Sequence, residues 1–148
     1  MKRRRVLVVV FLFFLVGLSL ALAACDSGMD PSGTPAVEAV LSVPFTLPAG
    51  RTAVLTAERL SLTFLGVLDD SRCPVDVVCS QAGNATMSIL AAQQGRAATT
   101  LTLTLNDDPQ AVVYEGFGIH AQQLMPDPLS DRTIPPGNYR VTILVDRP

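Results

Sequence analysis

The chain has 148 residues, a formal net charge of −2, three cysteines, one histidine and no tryptophan. That length suits one domain with a real core. Four of its eleven basic residues sit at positions 2–5; the other seven, all arginine, face thirteen acidic side chains, a net charge of −6, which excludes the basic face that nucleic-acid binding requires.

Residues 1–24 read as an export signal. Lys2, Arg3, Arg4 and Arg5 precede an apolar run from Val6 to Ala24. A basic start, an apolar stretch and small residues before the break are the three parts of a secretory signal. Leu22-Ala23-Ala24-Cys25 is a bacterial lipobox. It predicts cleavage before Cys25 and acylation of that cysteine, by diacylglycerol and a fatty acid such as palmitate. Two acyl chains anchor firmly where one is marginal. The rival is an uncleaved anchor, since the run is long enough to span a bilayer. Both place the rest of the chain outside the cytoplasm, because positive charges stay inside.

Residues 25–36 follow as a flexible tether. Asp26 to Ala36 reads DSGMDPSGTPA, too polar and too rich in Gly and Pro to bury apolar surface. The domain proper is 37–148, and its apolar residues recur with period two. Val37, Ala39, Leu41, Val43, Phe45 and Leu47 form the first such run. Leu60, Leu62 and Phe64, then Leu101, Leu103 and Leu105, then Tyr139, Val141, Ile143 and Val145 form three more. Weaker candidates are Thr52 to Ala57, Ala85 to Ala91, Ala111 to Phe117 and Ile119 to Met125; Ala121 to Met125 is the one stretch where a helix competes. Turn residues separate them at Pro48-Ala49-Gly50, Asp69-Asp70-Ser71, Gln94-Gly95, Asn106 to Pro109 and Pro135 to Asn138. About eight short strands with one apolar and one Thr/Ser face predict an all-β fold, an antiparallel immunoglobulin-like β-sandwich.

Cys73 and Cys79 remain once Cys25 is acylated. An even pair in an oxidising compartment reads as a disulfide, closing a short loop around Pro74-Val75-Asp76-Val77-Val78. The alternative is a redox pair, but reactive pairs favour a C-x-x-C helix start, and this spacing is wider and lies among strands. Two cysteines and one distant histidine fall short of a zinc site.

Asp70-Ser71-Arg72-Cys73-Pro74, then Cys79, then Ala82-Gly83-Asn84-Ala85 resembles a signature of uncharacterised bacterial secreted and lipid-anchored β-rich proteins. Leu124-Met125-Pro126, Pro128 and Tyr139 fit the same pattern. Where many such proteins carry Trp before the Ala-Gly, this chain has Gln81. The resemblance implies a β-rich envelope protein and no particular activity. Asp70, Arg72 and Asn84 are the candidate recognition residues beside the disulfide. Asp70 and Arg72 read first as a structural clasp, pairing or bonding the loop backbone, and second as part of a small recognition surface.

Other chemistry is thin. His120 stands in a strand-like stretch without an evident catalytic partner, and no G-x-S-x-G elbow exists. Asp69-Asp70 and Asp107-Asp108 lack the D-x-D-x-D-G spacing of a calcium loop. No cofactor, metal or catalytic residue is assigned. The sequence therefore predicts a non-catalytic, lipid-anchored cell-envelope domain, bound to the membrane through Cys25 and open to an envelope partner. The alternatives are a small-ligand or protease-binding module using Asp70 to Asn84 and Pro126 to Pro136, and a thiol oxidoreductase.

Overall fold

The computed structural model describes residues 33–105 and 111–148. The export signal, Cys25, most of the tether and the Asn106 to Pro109 turn lie outside them.

Among the described residues, nine strands form two sheets. They are β1 (Val37–Glu38), β2 (Phe45–Pro48), β3 (Thr52–Leu55), β4 (Leu60–Asp70), β5 (Ala85–Gln93), β6 (Thr99–Thr104), β7 (Ala111–Tyr114), β8 (Phe117–Met125) and β9 (Arg140–Asp146). One sheet has the order β1-β3-β4-β5-β6, the other β2-β9-β8-β7. Only β1 with β3 is parallel; the remaining pairs are antiparallel. Consecutive strands are mostly neighbours, so each sheet is largely a meander. The β-sandwich expected from the alternating pattern is present.

Period two explains the core. Leu60, Leu62 and Phe64 of β4, Met87 and Ile89 of β5 and Leu103 of β6 point inward. They meet Leu47, Ile119, Leu124, Val141, Ile143 and Val145 from the other sheet. Outward positions carry threonine pairs, Thr52 with Thr63 at 2.8 Å and Thr46 with Thr142 at 3.3 Å between hydroxyl oxygens.

Three local expectations need correction. The run from Val37 to Leu47 is two strands, β1 and β2, lying in different sheets. The alternation continues through it, but Ser42 has a positive φ of 61° and Pro44 lacks a donor. There the chain crosses between sheets, and the Ser42 N–H donates to the Val145 carbonyl at 2.7 Å. Second, Asp69 and Asp70 belong to β4, which continues well beyond Phe64. Two register shifts, between Phe64 and Gly66 and between Val67 and Asp69, break the period and leave Leu65 and Leu68 exposed. Third, Ala111 to Phe117 is not one strand. Glu115 and Gly116 have φ of 47° and 82°, the pair of positive angles a two-residue type I′ hairpin needs, and they join β7 to β8. Where a helix competed, at Ala121 to Met125, the strand reading holds, and the segment pairs along β9.

The register brings four strand termini to one end. Asp70 of β4 faces Ala85 of β5, and Met125 of β8 faces Arg140 of β9. The connections 71–84 and 126–139 therefore leave the same end of the sandwich.

Candidate functional site at the loop end

The β4–β5 pairing persists beyond the strands. The Ser71 N–H donates to the Asn84 carbonyl and the Cys73 N–H to the Ala82 carbonyl, both at 2.8 Å. Gly83 sits where these two segments pass closest. Its φ is 66°, and a Cβ there would overlap the Ser71 carbonyl oxygen. Only glycine meets both conditions.

Asp70 and Arg72 turn inward. Their side chains are 10% and 11% exposed. Arg72 Nε donates to Asp70 Oδ1 and Nη2 to Oδ2, each at 2.7 Å, the bidentate fork that only arginine provides. The guanidinium also crosses to the other sheet. Nη1 donates to the Leu124 carbonyl at 2.6 Å and Nη2 to the Pro126 carbonyl at 3.0 Å. From the start of β9, the Tyr139 hydroxyl donates to Asp70 Oδ2 at 3.0 Å. Asp70 and Arg72, at and just past the end of β4, thus close on three groups at the ends of β8 and β9.

Charge states follow. Burial pushes the Asp70 carboxyl up, but the hydrogen bonds and charge of Arg72 and the Tyr139 hydroxyl outweigh it and hold it below its ordinary value. The hydrogen bond to Asp70 raises Arg72 above its ordinary range. Burial, then the bond to Asp70, raises the Tyr139 phenol.

Asn84 does something simpler. Its Oδ1 accepts the Ala85 N–H at 2.8 Å, so this side chain fixes the entry to β5. Of the three residues expected to recognise a ligand, Asp70 and Arg72 thus bond one another and the fold, and Asn84 commits its side-chain oxygen to the backbone. Asp70 and Arg72 form the clasp, and Asn84 supports it from the neighbouring strand.

The disulfide forms as expected, with Cys73 and Cys79 Cα atoms 6.0 Å apart. Its loop is tied to the 126–130 segment. The Val75 N–H donates to the Pro128 carbonyl at 3.0 Å. Asp76 accepts from the Ser130 N–H at 2.9 Å and from its hydroxyl at 2.6 Å, and these two bonds hold the Asp76 carboxyl below its ordinary value. On this fixed loop three apolar side chains face solvent: Val75 at 66%, Val77 at 45% and Val78 at 100% exposure. Sequence reasoning missed them, although three valines inside a cysteine-closed loop are an available signal. Beside the loop lies an open cleft of about 290 Å³, lined in part by Arg72, Gly83, Gln123, Leu124 and Asp127.

No family model, no curated protein and no solved structure matches this chain.

His120 lies elsewhere, within β8. Its Nε2 is 3.2 Å from Asp146 Oδ2, yet the pair is not aligned as a hydrogen bond. This neighbour, 26 positions along the chain, arrives through the pairing of β8 with β9. Among the described residues, no group of three or more His, Cys, Asp or Glu is arranged to hold a metal ion. Asp107 and Asp108 fall outside those residues.

Proposed function

We propose that this chain is a lipid-anchored cell-envelope domain that acts by contact rather than catalysis, through the disulfide-bearing end of its sandwich. One observation carries the reading: Val75, Val77 and Val78 are displayed on a loop held by a disulfide and by Asp76 with Ser130. An apolar side chain on an already ordered loop loses little freedom on docking. Recognition residues concentrate on loops that a rigid scaffold positions. The lipobox ending at Cys25 supports the anchor, and the Asp-Ser-Arg-Cys-Pro resemblance supports the envelope. The partners are the membrane, through the N-terminal lipid, and an envelope component at the loop end; no cofactor or nucleic acid enters.

The test has two parts. Intact mass of the protein from its own membranes, before and after reduction with alkylation, should show acylated Cys25 and two thiols that appear only on reduction. A photo-cross-linking residue at Val78 should give a discrete adduct in intact cells that the same residue at Val43, on the opposite end, does not. Unacylated Cys25 removes the anchor; equal labelling at both positions removes the contact surface.

A second reading is a ligand- or protease-binding module. The cleft of about 290 Å³ at the same end favours it, as does the attachment of the disulfide loop to residues 126–130. Inhibition of a protease by the wild-type protein but not by Val78→Asp would move the assignment there.

A further inference from the structure

We propose that the envelope component met at the loop end is the bilayer that holds the anchor, rather than a protein, with Val78 and Val75 dipping into the boundary between headgroups and acyl chains. This rests on the lipid-anchor reading above and adds an orientation to it.

Three observations carry it. The first is where the chain leaves the sandwich. β1 runs parallel to β3, with Val37 opposite Ala53. Read backward from Val37, the chain therefore heads toward Thr52 and Arg51. The Arg51 guanidinium donates to the Pro35 carbonyl, and the Arg51 carbonyl accepts from the Phe64 N–H at 3.0 Å. From Phe64, β4 climbs to Asp70 and the disulfide loop. The N-terminal segment thus departs toward the loop end, not toward the end that holds Val43 and the Glu115-Gly116 turn.

The second is length. Only seven residues lie between Cys25 and Gly33, eight Cα steps with a covalent reach of at most about 28 Å. The six residues from Phe64 to Asp70 rise about 20 Å. The loop end is therefore within reach of any bilayer that holds Cys25. A tether this short also keeps the loop at a local concentration on the order of millimolar, so a weak contact is well populated.

The third is what the end exposes. Besides Val75, Val77 and Val78, it carries Leu68, near the end of β4, and Met125, at the end of β8, both exposed. Asp69, Asp76, Asp127 and Asp131 belong to the same end, with Arg132 paired to Asp131 and Arg140 opposite Met125. The four carboxylates outnumber these two arginines and add no attraction to an anionic surface, so a shallow seat on zwitterionic lipid is the fitting arrangement.

The absence of tryptophan makes the test direct. Val78→Trp and Val43→Trp each introduce a single indole at an exposed site, and both variants share tryptophan's own preference for interfaces. The full lipidated protein is reconstituted in vesicles of phosphatidylcholine and phosphatidylethanolamine, with and without brominated acyl chains. Val78→Trp should lose about half its emission to brominated lipid, as an indole at the headgroup–acyl boundary does. Val43→Trp should keep its emission. If Val78→Trp stays as bright as Val43→Trp while the protein co-floats with vesicles and its mass shows acylated Cys25, the orientation is wrong, the anchor stands, and a protein socket becomes the occupant. If Cys25 carries no lipid and the protein does not co-float, the anchor reading itself fails and the orientation falls with it.

Discussion

Arg72→Ala tests the clasp most directly. Arg72 makes four side-chain donations: two to Asp70 and one each to the Leu124 and Pro126 carbonyls. Truncation leaves the Asp70 carboxylate with the Tyr139 hydroxyl as its side-chain partner and strips both carbonyls of a charged donor. Removing one member of a buried pair typically costs 3–5 kcal/mol, most of it from the stranded charge. A pair 10–11% exposed sits slightly outside that regime, so about 3 kcal/mol is expected. Urea unfolding followed by far-UV circular dichroism reads it as a lower midpoint at an unchanged slope. Asp70→Ala should cost a similar amount, and Arg72→Ala with Asp70→Ala should cost much less than the two added together, a coupling of about 2 kcal/mol. A loss below about 1 kcal/mol with additive singles would place the pair with ordinary surface ion pairs and refute the clasp.

Gly83→Ala should destabilise by about 3 kcal/mol, because a positive φ and a blocked Cβ position act together; thermal unfolding within about 1 kcal/mol of wild type would contradict the close approach to Ser71. Asp70 has a folded pKa below its ordinary 3.8, so its contribution is full above about pH 3.8 and is lost as pH falls through the folded value. Asp70→Asn should therefore be less stable at neutral pH and show a shallower loss below pH 3.8 than wild type; parallel stability curves would refute the assignment. Glu115→Asn should stabilise by about 0.5 kcal/mol, since Asn tolerates the left-handed angle of a type I′ turn better, and a lower thermal midpoint would count against that turn. Reducing the disulfide should cost roughly 2–2.5 kcal/mol for so short a loop and leave both sheets folded; thiol-exchange turnover that vanishes in Cys73→Ser would instead restore the redox reading.

The sandwich was legible because period two survives wherever one face of a strand is buried. All eight stretches read as strands contain strand. What the pattern hid were changes of direction. Alternation through Val37 to Leu47 is preserved across Ser42 and Pro44 even though the chain changes sheets there, because each half still buries alternate residues. The bulges of β4 did the reverse: Leu65 and Leu68 broke the period without ending the strand. Glu115-Gly116 was invisible because Glu is a poor marker of a positive φ. At the site, the disulfide and the pairing of Asp70 with Arg72 were readable from proximity along the chain. Their connections to Leu124, Pro126 and Tyr139 were not, because those depend on how β8 and β9 register against each other. Asp70, Arg72, Gly83, Leu124, Pro126 and Tyr139, far apart along the chain, meet in one place.

That convergence gives the clasp a physical purpose distinct from stability. The core between the sheets is apolar, and apolar cores hold volume better than they hold relative position; hydrophobic contacts are non-directional. Backbone ladders run within each sheet, so they fix strands to their neighbours but not one sheet to the other. A buried ion pair contributes little net free energy compared with apolar packing, yet it tolerates few geometries. Arg72 accepts only an arrangement that brings the Leu124 and Pro126 carbonyls to its outer nitrogens while Asp70 holds the other side. The sheets are thereby set in one position at the end where the 71–84 and 126–139 connections emerge. The consequence reaches the disulfide loop, because Val75 and Asp76 bond to Pro128 and Ser130, which follow directly from the clasped segment. Loosening the clasp should therefore blur the display of Val78 before it unfolds the domain, and hydrogen exchange at Val75 and Ser130 should quicken in Arg72→Lys while the β5 and β9 ladders stay protected.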